Sequence, residues 1–264
     1  MPVIMGVLNV TPDSFSDGGQ HQLIEAAVAR ARVMIDEGAA IVDVGGESTR
    51  PGASAVTEQE ELDRVLPVVQ RLSRELDCAI SIDTMKPAVM AAACVAGAHL
   101  VNDVNALRAP GAIAVVKAHG AAACLMHMQG EPSTMQIEPR YGDVVAEVGQ
   151  FLAERIAACA QGGVARERLL IDPGFGFGKS QRHNLRLLAR LGVLVDLGVP
   201  LLVGVSRKAM LGKYPNRPVD QRLHAGLAAA ALAVWQGASV IRTHDVRATV
   251  EAVEFAAAVR QAGS

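Results

Sequence analysis

Aromatic residues make up only 3% of this 264-residue chain. That scarcity argues against the stacking platforms on which proteins hold single-stranded nucleic acid. The formal charge of -2 leaves no polyanion footprint, although lysines and arginines can still gather locally around a phosphate. Cys78, Cys94, Cys124 and Cys159 lie far apart without a C-x-x-C pair, which reads as buried thiols in a reducing compartment. The longest apolar run, Ala225 to Trp235, has 11 residues and is too short to cross a bilayer. The apolar N-terminus has no basic segment before it and meets Asp13 early, so a signal peptide is not expected. No H-E-x-x-H spacing and no recognisable Ser-His-Asp set occurs, and no linker or shift in composition divides the chain. A cytoplasmic protein with one domain over residues 1–264 is expected, with no membrane and no nucleic acid among its partners.

What the chain does have is alternation. Apolar runs near 2–8, 40–44, 79–82, 99–101, 121–126, 168–171, 200–205 and 238–241 read as strands. Helical patterns follow each of them, near 21–36, 57–76, 86–96, 110–118, 142–161, 182–195, 221–236 and 246–261. Gly38, Gly97, Gly120, Gly162, Gly198 and Gly237 stand where left-handed helix C-caps are expected. Links from helix to strand are therefore short. Those from strand to helix, such as Thr11 to Gly19 and Gly45 to Thr57, are long and polar. Eight such units predict an α/β fold, a (β/α)8 TIM barrel with its active site at the C-terminal ends of the strands. A doubly wound sheet would call for a Gly-rich phosphate loop after the first strand, where this chain has Asn9-Val10-Thr11-Pro12-Asp13.

Each apolar run stops at a group that a strand buried on both faces would not hold. These are Asn9, Asp43, Asp83, Asn102, His127, Asp172, Ser206 with Lys208, and Arg242 with His244. One shared pocket accounts for them all. Singly, Asp83 and Asp172 read as a helix cap and a turn former. Together with Asn102, two carboxylates and an amide can grip a planar heterocycle with an amidine-like N–H edge. Ser206, Lys208, Arg242, His244 and Asn9 supply donors for an anion, while an Asn carbonyl beside phosphate oxygens suits Mg²⁺. Arg207 reads equally as a surface ion-pair partner. Pro173 through Ser180 lacks the glycines of a Walker loop or a dinucleotide fingerprint, and is expected to let a flat ligand approach its backbone. Gly45 through Gly52 can fold over the mouth and bring Arg50 to a phosphate, and His127 is expected to help wall the pocket beneath a Met126 lid.

In order, Leu8 through Gly19, Gly45 through Pro51, Ile82-Asp83-Thr84, Val101-Asn102-Asp103, Asp172 through Lys179, Ser206-Arg207-Lys208 and Arg242 through Asp245 resemble the dihydropteroate synthase family of bacterial folate biosynthesis. The resemblance spans essentially the whole chain. It implies a pterin-binding TIM barrel, a sulfonamide-target transferase. Such an enzyme joins 6-hydroxymethyl-7,8-dihydropterin diphosphate to 4-aminobenzoate, giving 7,8-dihydropteroate and diphosphate. It further implies that Asp83, Asn102, Asp172 and Lys208 hold the pterin, with Met126 and Phe177 nearby, and that Asp83, Asp172 and Lys208 serve catalysis. By the same resemblance Asn9 meets Mg²⁺, Thr49, Arg50, Arg242 and His244 meet diphosphate, and Ser206 and Thr49 border the aminobenzoate site. A homodimer through outer helices is implied as well, and the Ala-rich stretch at 221–236 suits such packing. Alternatives are a pterin-dependent methyltransferase on the same barrel, a Schiff-base aldolase using Lys208, and a pterin-binding paralogue without turnover.

Overall fold

A computed structural model of the protein describes residues 1–11, 20–48, 56–131, 134–212 and 216–263. Thr49 and Arg50 lie outside the described residues, as does most of each of the two long loops that follow the first and second strands. Among the described residues, eight parallel strands run in the order β6-β5-β4-β3-β2-β1-β8-β7. They are β1 (Val3–Asn9), β2 (Ile41–Gly45), β3 (Ala79–Asp83), β4 (Leu100–Asp103), β5 (Ala122–Met126), β6 (Leu169–Asp172), β7 (Leu202–Val203) and β8 (Val240–Thr243). A bridge between Ile171 and Leu201 joins β6 to β7, which closes the ring. The expected (β/α)8 barrel is therefore observed.

The helices are α1 (Gln20–Asp36), α2 (Glu58–Glu75), α3 (Pro87–Ala96), α4 (Ala112–His119), α5 (Val144–Gln161), α6 (Gln181–Ala189), α7 (Gly192–Val195), α8 (Leu223–Trp235) and α9 (Val246–Ala262). Most apolar burial lies between them and the outer face of the ring, where Val42, Val44, Ile80, Ile82, Val101, Leu125 and Ile171 meet helix residues such as Val65, Val69 and Leu72. Inside the ring Met5, Leu100, Cys124, Leu202 and Val240 form a smaller plug. Side chains of a strand alternate between the two faces, so this plug occupies the lower layers and leaves the upper inward positions for polar groups.

Two local expectations are corrected. The helix read over 182–195 is two pieces, because Arg190 leaves helical geometry at φ -117° and α7 starts again at Gly192. Gly162 stays right-handed at φ -72°, and its neighbour Gly163, at φ 86°, makes the turn instead. The helix ends at Gln161, and the left-handed turn falls one residue later than expected because Gly163 can take the positive φ.

After β6 the chain turns through Gly174, Gly176 and Gly178, all at positive φ. A Cβ on Gly174 would stand 1.9 Å from the His127 carbonyl oxygen, and one on Gly178 would stand 2.4 Å from that of Gln129. The loop is thus pressed against the exit of β5. Gly174→Ala is expected to destabilise the fold by about 3 kcal/mol, since both φ and space oppose the methyl. A urea melt with the midpoint unchanged would contradict that packing.

Candidate active site

The inward positions at the strand ends bring most of the expected groups to one mouth. Asp83 ends β3, Asn102 lies one residue from the end of β4, Asp172 ends β6, and Arg242 sits on β8. Asn102 and Asp172 are each 5% exposed, so they face a recess and not open solvent. Arg242 crosses the ring, donating from Nη2 to Asp83 Oδ2 at 2.7 Å and from Nε to Asp43 Oδ2 at 2.6 Å. Asn102 Nδ2 donates to the same Asp43 oxygen at 3.0 Å.

Asp43 therefore stands lower than expected. It is the middle residue of β2, fully buried, opposite Ser81 in the register, and it supports the mouth from beneath. Strand alternation also corrects His127. Met126 faces inward, so His127 faces outward, where it packs edge-on against Phe151 at 5.0 Å and its Nδ1 meets Lys179 Nζ at 2.9 Å. Burial first, and Lys179 second, push the His127 imidazole down to about 3, so the ring is neutral and its Nδ1 accepts a hydrogen bond from Lys179.

Sequence reasoning missed Lys179. Its buried Nζ, which burial pushes well below the ordinary lysine value, also donates to the carbonyls of Gly174 at 2.9 Å and Phe177 at 3.0 Å. It gathers the Gly-rich loop around one point. The loop holds Asp172 by Gly174 N donating to Oδ1 at 2.7 Å, and offers the Phe175 carbonyl to Lys208 Nζ. Lys208 Nζ lies 4.6 Å from the centre of the Phe177 ring. Met126, Val104, Met128, Met135, Met85 and Phe177 make an apolar patch at the rim that suits the face of a flat ring.

Past β7, Arg207 takes φ 60°, which sends its own side chain to Asp245 at 2.7 Å in a half-exposed ion pair. The surface reading of Arg207 describes it. On the neighbouring segment Ser206 Oγ accepts from His244 N at 3.2 Å and meets His244 Nδ1 at 3.1 Å, tying the ends of the last two strands together. Asn9 ends β1, and its Oδ1 would lie 3.9 Å from a Cβ on Gly45, where the same Cβ would also meet Asp83 at 3.5 Å.

Another cluster lacked any sequence signal beyond the charges themselves. Lys86, at the N-cap of α3, donates to Glu47 Oε2 at 2.6 Å and to Glu61 Oε2 at 2.5 Å. Glu47 Oε1 in turn accepts from Val56 N at 3.0 Å, and Arg64 from α2 donates to the Gly46 carbonyl at 2.9 Å. These contacts fix both roots of the loop after β2.

Burial dominates the ionisation of the mouth. Asp83 is raised to about 7 by burial, against the pull of Arg242 and with a push from Asp43. Lys208 is lowered to about 8 by burial, against the pull of Asp172. Burial also raises Asp172, which Lys208 opposes. Acids raised and a base lowered in a single recess mark a working site.

This geometry, an anion-and-amide grip with cations in the mouth of a parallel barrel, defines a pterin-binding enzyme: residues 5–244 match the family model described as Pterin binding enzyme. The chain is 52% identical to the dihydropteroate synthase of Escherichia coli K12 over 261 residues, covering 99% of this chain and 93% of that one. It superposes on the Xanthomonas albilineans dihydropteroate synthase solved with 4-aminobenzoic acid at a TM-score of 0.93, with 52% identity and 98% and 93% coverage. The same organism's enzyme in complex with 7,8-dihydropteroate gives a TM-score of 0.89, with 48% identity and 98% and 94% coverage. The chain belongs to the dihydropteroate synthase family, and is a transferase.

Proposed function

We propose that the protein condenses 6-hydroxymethyl-7,8-dihydropterin diphosphate with 4-aminobenzoate. The observation that carries this reading is the meeting of Asp83, Asn102, Asp172, Lys208 and Arg242 at one barrel mouth. Asp83 and Asp172 accept from the N–H edge of the pterin, Asn102 contributes its amide, and Met126 and Phe177 cover the ring faces. The bond between the pterin methylene carbon and the diphosphate oxygen breaks, with its electron pair leaving on diphosphate. The amine lone pair then forms the C–N bond and the amine releases its proton. Ionised Asp83 supports the cationic methylene, and early departure suits a weak aniline nucleophile.

His244 and the remaining donors of Arg242, together with Thr49 and Arg50, meet the diphosphate, and Ser206 with Thr49 borders the aminobenzoate. Among the described residues no group of three or more His, Cys, Asp or Glu could hold a metal unaided. The oxygen of Asn9 beside substrate phosphates fits a hard cation that keeps most of its waters. Mg²⁺ bound there would neutralise charge on the leaving group. The test is incubation with pterin diphosphate, 4-aminobenzoate and Mg²⁺. The coupled product supports the reading, and its absence with folded protein defeats it.

The protein is further proposed to work in the cytoplasm, as its four free thiols favour. We also take it to be a homodimer. Leu232 and Trp235 on α8 are 55% and 51% exposed, and Phe255 and Val259 on the adjoining α9 are 74% and 44% exposed. Such side chains on two packed helices suit a self-complementary apolar face. Trp235→Glu is expected to halve the mass found by light scattering, and a monomeric wild type would refute the pairing.

A further inference from the structure

We propose that Asp43 is a positioning residue: one buried carboxylate oxygen sets which way the Asn102 amide faces and holds Arg242 level with Asp83. This rests on the reading that the mouth receives a pterin. Asp43 Oδ2 accepts from Asn102 Nδ2 at 3.0 Å and from Arg242 Nε at 2.6 Å. A carboxylate oxygen only accepts, so the Asn102 atom turned to it is the amide nitrogen, and Oδ1 is left for a ligand. The ligand edge that meets Asn102 must therefore donate. An amide free to flip would accept either edge equally well. Asp43 thus makes Asn102 selective while lying too deep to touch substrate itself.

The other oxygen, Oδ1, is buried without a hydrogen-bond partner among the described residues. This gives a clean pair of variants. In Asp43→Asn the amide nitrogen can take the Oδ1 position, which leaves an acceptor for both donors while removing the charge and placing an N–H pair where no acceptor stands among the described residues. Asp43→Ala removes the acceptor too. With the full chain, Asp43→Ala is expected to raise KM for the pterin diphosphate by about a hundredfold and KM for 4-aminobenzoate by less than threefold, since 4-aminobenzoate touches neither partner. Asp43→Asn is expected to recover at least tenfold of that loss. A wild-type pterin KM in Asp43→Ala, or equal losses in the two variants, would overturn the assignment.

A second measurement serves if Asp43→Ala does not fold. Asp83 is faced by Arg242 on β8, Asp43 on β2, Asp103 on β4, Glu61 on α2, and Lys208 after β7. Asp43 raises Asp83, so Asp43→Asn is expected to shift the acid limb of kcat/KM to lower pH, and an unmoved limb counts against the proposal. A crystal structure of either variant without substrate separates this idea from the functional one. Displaced Asn102 and Arg242 side chains in Asp43→Ala would uphold the positioning role even if no product were ever formed, and unchanged ones would end it.

Discussion

Lys208→Ala is expected to lower kcat/KM by about three orders of magnitude, some 4 kcal/mol of transition-state stabilisation, while leaving the fold intact. The ammonium lies beside Asp172, against the Phe175 carbonyl and over the Phe177 ring. Without it, Asp172 loses the cation that opposes its upward shift and takes a proton more readily, so the acceptor offered to the pterin weakens. Stability runs the other way. A lysine whose folded value falls from 10.5 to about 8 binds fewer protons in the folded state over that interval, so wild-type stability rises as pH climbs through it. Below pH 8 the folded protein bears the cost of a charged, desolvated ammonium. The variant should therefore be no less stable than wild type at pH 7 and lack the gain toward pH 10. Steady-state kinetics beside urea melts at the two pH values check both halves, and near-normal turnover would remove Lys208 from the mechanism.

The strand ends are readable because burial on both faces forces apolar runs, which makes any polar stop conspicuous. Asp83, Asn102 and Asp172 stand out in that way, and the eight βα units follow from the same pattern. Depth is not readable. Asp43 interrupts an apolar run as Asp83 does, yet lies in the middle of its strand with the mouth above it. The period of two places both inward, and only the register shows that Gly45, not Asp43, is level with Asp83. His127 differs by one step of the same alternation, since the end of β5 has to be known to a residue before Met126 can be assigned the inward face. Lys179 and Lys86 are hidden for a different reason. Their partners, at His127 and at Glu47 with Glu61, are distant in sequence, and a lysine in a loop ordinarily reads as solvated.

Arg242→Ala is expected to cause the largest loss of stability, about 3–5 kcal/mol near pH 8, because it strips two buried carboxylates of their shared cation. For a chain of this length that is a fall in melting temperature on the order of 10 °C. The sign of its pH dependence is fixed by Asp83. This carboxyl is already raised to about 7 against the pull of Arg242, so wild-type stability declines as pH rises from the unfolded value toward that figure. Removing the guanidinium raises Asp83 further, which extends the decline to higher pH, and it leaves Asp43 with only the Asn102 amide as donor. Protonation of Asp83 relieves the unpaired charge, so the gap between variant and wild type should narrow as pH falls through about 7. Activity should not return with stability, because a protonated Asp83 no longer presents an ionised acceptor to the pterin edge. Melts across that range with parallel kcat/KM measurements separate the two effects. A gap that stayed constant with pH would mean that Arg242 acts through packing alone, and the charge balance of the mouth would have to be assigned to Lys208.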